Sequence, residues 1–180
     1  VDNIKAAREI SGQLDEIKID AVTTFWRTIK ESIKKKLEKD GLCSEFCHFD
    51  ANMKLMTVRD IEVLVRKYVD RPNEDNRYFG ISVKLQNDSH VCLLVEENIY
   101  FAIAPKLVDL PALDDWETGS ELSERFAAWK YPKYGKKSLL SPDDDIWGLA
   151  CSKNKSTDNV SCSLISQLSA EFIDIVRKLA

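Results

Sequence analysis

Hydrophobic positions along the chain follow two different periods. Ile4, Ala7, Ile10 and Leu14 recur at helical spacing, with Gly12 weakening the middle of the run. A break is expected at about 18–20, where Asp20 is placed to cap a second helix. From there Val22, Phe25, Trp26, Ile29, Ile33 and Leu37 form one apolar stripe, opposed by Lys30, Lys34, Lys35, Lys36 and Lys39. Gly41 ends the pattern, and the lysines before it suit the negative end of a helix dipole.

Residues 42–56 read as a strand or loop around Phe46 and Phe49. A helix is expected over 58–69, capped by Thr57 with Asp60 in the capping-box position and Ile61, Leu64, Val65 and Tyr68 inward. Its Val and Ile content keeps a strand open as the alternative. The break at 71–76 then gives way to a period of two. Three strand-length runs between 78 and 104, separated by turns at 86–89 and 97–98, predict an antiparallel meander. Further on, helices are expected over about 120–128 and about 163–179, with a polar loop at 151–163.

The fold class is therefore α+β: a small antiparallel sheet of three to five strands, with its meander at about 78–104, packed against N- and C-terminal helices. Trp26, Phe79, Ile81, Tyr100, Phe101, Trp129, Trp147 and Phe172 are the expected core.

Composition narrows the class without specifying an activity. The 180 residues suit one domain spanning 1–180, and 44% hydrophobic with 31% charged content is ordinary for a globular chain. No apolar run approaches the ~20 residues of a membrane span. A net charge of -4 gives no general attraction to nucleic acid. Five scattered cysteines suggest reduced thiols in a cytoplasmic protein. The first residue is Val, which is compatible with a domain excised from the C-terminal part of a longer protein. No signature sets an oligomeric state.

Candidate chemistry is sparse. Cys43-x3-Cys47-His48 lacks the second ligand pair that structural zinc needs, so no metal and no cofactor is expected in this chain. There is no Gly-x-Ser-x-Gly elbow and no glycine-rich phosphate cradle, and no catalytic residue is assigned. Asp143, Asp144 and Asp145 follow Ser141-Pro142 and read as a turn or cap in preference to a Mg²⁺ site. One segment suits nucleic acid: Lys130, Tyr131, Lys133, Tyr134, Lys136 and Lys137 offer cations for phosphates and rings for bases. Against that, the acids at Asp109, Asp114, Asp115, Glu117, Glu121 and Glu124 stand ready to neutralise it, and Trp129 and Tyr131 can serve as core anchors.

The order of aromatic motifs adds a family expectation. Tyr78-Phe79-Gly80-Ile81, the Ile99-Tyr100-Phe101-Ala102-Ile103 strand, Trp129-Lys130-Tyr131, Asp145-Ile146-Trp147 and the closing helix through Leu168 and Phe172 resemble the C-terminal region of one branch of the PD-(D/E)xK nuclease superfamily. The resemblance runs over nearly the whole chain on short motifs. It implies a parent enzyme that cuts DNA with an Asp and a Glu-x-Lys holding Mg²⁺. Here Glu-x-Lys occurs once, at Glu16-Ile17-Lys18 on a helical stretch, and Glu96-Glu97-Asn98 lacks the lysine.

The resemblance therefore implies a non-catalytic accessory domain of a nuclease-like protein, assisting DNA positioning or assembly. The alternative is a small acidic protein-binding module of the immunity or inhibitor type, facing a basic partner. A metal-dependent enzyme using Asp143, Asp144 and Asp145 with Glu96 or Glu97 ranks last.

Overall fold

The computed structural model describes residues 2–42, 46–49, 55–56, 61–70, 79–85, 89–96, 98–104, 115–118, 126–133, 135 and 160–180. In chain order these form α1 (Asp2–Lys39), β1 (Phe46–Phe49), β2 (Leu55–Met56), α2 (Ile61–Asp70), β3 (Phe79–Lys84), β4 (His90–Val95), β5 (Ile99–Ala104), β6 (Ala128–Lys130) and α3 (Val160–Leu179).

The period-two segment forms the centre of the sheet. Its six strands run in the order β2-β1-β3-β4-β5-β6, and every neighbouring pair is antiparallel. Ile81 faces Leu93 across β3 and β4, and Leu93 faces Phe101 across β4 and β5. Gly80 has a steric reason to be glycine. A Cβ there would stand 2.8 Å from Leu94 Cα and collide with Leu93 O, so a side chain would push β3 and β4 apart.

Alternation splits the sheet's side chains between two cores. Phe79, Ile81, Val83, Val91, Leu93, Val95, Ile99 and Phe101 belong to the larger core with all three helices. Cys92, Leu94, Tyr100, Ala102 and Ala104 face the other way, against Phe126 and Trp129. Rings join the layers of the larger core. Trp26 lies 5.5 Å from both Phe25 and Phe79, Tyr68 lies 5.0 Å from Phe79, and Phe101 meets Phe172 at 6.3 Å. The Tyr68 hydroxyl donates to the Glu96 carbonyl, fastening α2 to the β4–β5 turn.

Three expectations need correction. Among the described residues the sheet has six strands, since β1, β2 and β6 extend the meander on both sides. The expected break at 18–20 is absent, and α1 continues unbroken through Asp20. Neither Gly nor Pro interrupts 18–20; what changes there is the apolar face of the helix, which rotates while the backbone carries on. Finally, Ala128 opens β6 and does not close a helix, because its residue pairs with Ile103 and the next two pair with Ala102 and Phe101. Sheet pairing from a distant strand overrides local helical preference there.

Helix α1 stops where Gly41 adopts φ 70°. Leu42 N–H donates to Leu37 O at 3.0 Å and Gly41 N–H to Glu38 O at 3.1 Å, the paired bonds of a Schellman cap. Of the expected core, Trp26, Phe79, Ile81, Tyr100, Phe101, Trp129 and Phe172 are buried. Trp147, Thr57, Asp60 and Asp143 to Asp145 lie outside the described residues.

Candidate functional site

Strand β6 decides what the basic-aromatic segment can offer. Its register sets Lys130 opposite Phe101 and Trp129 opposite Ala102, so the two side chains leave opposite faces of the sheet. Trp129 packs in the smaller core at 6.3 Å from Tyr100, and Tyr131 stands edge-on to it at 5.2 Å.

Lys130 turns inward. Its ammonium donates to Asp115 Oδ2 at 3.0 Å and lies 3.1 Å from Glu171 Oε1 of α3. The second approach is too oblique for a hydrogen bond, so its attraction is coulombic. Glu171 Oε2 accepts from the Lys133 backbone N–H at 3.1 Å. The Trp116 ring sits 5.5 Å from the same ammonium, a cation–π contact. The Lys130 hydrogen bond holds the Asp115 carboxyl below the usual carboxylate range.

Lys130, one of the expected DNA contacts, is buried and acts as a clamp within the fold. It ties β6 to α3 and to the acidic segment, and Glu117 fastens that segment again by exchanging backbone bonds of 2.8 and 3.0 Å with Trp129. Tyr131 is half-buried and Lys133 exposed, while Tyr134, Lys136 and Lys137 lie outside the described residues. Further exposed cations stand on α1, at Lys34, Lys35, Lys36 and Lys39. The sequence placed these on the polar face of that helix, where the structure has them.

A different surface went unnoticed in the sequence. Every described residue from Asn3 to Leu14 is exposed, so this part of α1 is an arm projecting past the core. Along it Ile4 is 63%, Ile10 59%, Leu14 49% and Ile17 47% exposed. Among the described residues the arm is held at its base. Arg66 of α2 donates to both Glu16 oxygens at 2.7 and 3.0 Å, which lowers the Glu16 pKa. Its sequence signal was the shift of apolar positions from 10, 14 and 17 to 22, 25 and 29, a rotation off the core-facing side.

Among the described residues no cluster of three or more His, Cys, Asp or Glu side chains is placed to hold a metal ion. Cys92 is a buried thiol on β4, its Sγ 3.9 Å from the His90 carbonyl. No described helix is long and apolar enough to cross a membrane. Comparison with protein-family models, curated proteins and solved structures finds no match to this chain.

Proposed function

We propose that this chain is a non-catalytic assembly domain that docks onto protein through the arm of α1. The observation that carries this reading is the exposure of Ile4, Ile10, Leu14 and Ile17 on the N-terminal part of α1, which packs on no core among the described residues. Ile10, Leu14 and Ile17 share one face of the helix with Ile4 to its side, and together they make a larger apolar patch than singly scattered residues do. A helix of about 15 residues is also marginal in water by itself, and Gly12 weakens this one further. An apolar partner would supply the packing that the arm lacks.

The nuclease resemblance gives such a domain its setting, as the accessory part of a nucleic-acid enzyme. Of the two roles that resemblance implies, the geometry favours assembly over DNA positioning, because Lys130 is spent on internal ion pairs.

A photo-reactive amino acid at position 10 or 14, irradiated in the native cell, tests the reading. Covalent adducts to protein are expected, and absent when the probe replaces exposed Lys35. Adducts to nucleic acid alone, or none, would overturn it.

A further inference from the structure

The composition of the arm narrows the choice of partner. Ala7, Leu14 and Ala21 alternate with Ile10 and Ile17 at spacings of three and four, the a and d positions of a short heptad seam. The flanking positions are Ile4, Ser11 and Lys18 on one side and Ala6, Gln13 and Asp20 on the other. One cation and one anion flank the whole seam, and Lys18 is already bonded to Asp15. Over residues 3–18, Lys5, Arg8 and Lys18 balance Glu9, Asp15 and Glu16, so this stretch carries close to no net charge within a chain of net charge -4. Such a seam does not select a strongly charged partner. It matches another neutral apolar stripe, which a second copy of this chain provides.

Geometry also sets the direction. Ala21, where the stripe runs into the body, is 4% exposed, and Glu16 is bonded to α2 on the side away from the seam. The body therefore stands at the C-terminal end of the arm. Parallel arms would force two bodies into the same space, whereas antiparallel arms place them at opposite ends of a contact about 25 Å long, at 1.5 Å per residue. Antiparallel pairing sets Ala7 against the second copy's Ile17 and Ile10 against its Leu14.

We infer that α1 mediates an antiparallel, two-fold homodimer through Ile10, Leu14 and Ile17, with the axis passing near the level of Gly12. This rests on the assembly role proposed above and names its partner. The four aliphatic side chains offer on the order of 400 Å² per copy, so the pair lies below the ~1,200–2,000 Å² of stable interfaces. The dimer is accordingly weak and reversible, and the test is set around a constant on the order of 10 μM.

Sedimentation velocity on the full chain tests this. The wild type is expected to pass from monomer to dimer between about 1 and 100 μM, one decade either side of that constant. Two variants, Ile10→Asp/Leu14→Asp and Ile10→Lys/Leu14→Lys, are each expected to stay monomeric at the top of that range while keeping the wild-type unfolding transition. Mixed in equal amounts they should recover a dimer, because each now supplies the other's counter-charge. A wild type that remains monomeric, variants that dimerise unaided, or a mixture that stays monomeric would each overturn the homodimer. Failure here is separable from failure of the assembly role. Cross-links from position 10 to a different protein, with a monomeric purified chain, remove the homodimer and leave that role standing.

Discussion

The two halves of α1 carry apolar stripes of similar regularity and meet opposite fates. From Val22 to Leu37 the stripe is sealed: Phe25, Trp26, Ile29 and Ile33 are each 0% exposed, beneath α2, α3 and the sheet. From Ile4 to Ile17 it faces solvent on a helix that has left the body. Periodicity thus reports that a helix has an apolar face, and says nothing of which molecule covers it. The buried half explains stability; the exposed half is where the proposed partner would dock.

Breaking the buried half should cost most. Trp26→Ala removes the ring that joins α1 to Phe79 and leaves a cavity, for an expected loss of about 4 kcal/mol in denaturant unfolding. Ile10→Ala in the arm should shift the same transition by less than about 0.5 kcal/mol at low protein concentration, as surface substitutions do. Equal losses would mean that the arm is part of the folded core.

The clamp at β6 sharpens the contrast between body and surface. Lys130→Met strands the Glu171 carboxylate in a buried site and should cost about 3 kcal/mol. Adding Glu171→Leu should recover much of that loss, since a well-packed apolar pair replaces a buried ion pair at little net cost. If instead Lys130→Met left stability intact and abolished DNA binding, the clamp would be a phosphate contact after all.

The smallest effect is electrostatic. Asp115 and Glu16 both have carboxyls held below their ordinary values, by Lys130 and Arg66. A depressed folded value stabilises the native state above the unfolded pKa. That stabilisation is lost as the pH falls from about 4 through the lowered folded values. Asp115→Asn should therefore flatten part of the acid limb of the stability–pH curve. The change should stay under about 1 kcal/mol, because the Asp115 side chain is 63% exposed and well screened. The sign reverses if the carboxyl is protonated at neutral pH.

Much of the body was legible in the sequence. Alternation in β3, β4 and β5 announced the meander, Gly41 announced the end of α1, and the spacing of Leu164, Leu168, Phe172 and Val176 announced α3. What escaped depends on distant partners. Helix α1 looked broken at 18–20 because its apolar face rotates there, and a one-helix pattern cannot show whether the body follows that rotation. Strand β6 exists because β5 offers an open edge some 25 residues earlier, which local propensity does not register. The inward turn of Lys130 required Glu171 of α3 to lie beneath that edge, a contact between residues 41 positions apart. The pairing of the basic segment with the acids before it was legible, as Asp115 on Lys130 shows, and only the counter-charge from α3 was not.

The most direct measurement compares the two halves of α1 on one scale. Ile10→Ser/Leu14→Ser and Ile29→Ser are each followed by denaturant unfolding below about 1 μM, where association is negligible, and by sedimentation at high concentration. The arm variant is expected to keep wild-type unfolding and lose association, and the body variant to unfold far more readily. An arm variant that unfolds as readily as the body variant, or associates as well as the wild type, would contradict the division of α1 into a packed half and a docking half.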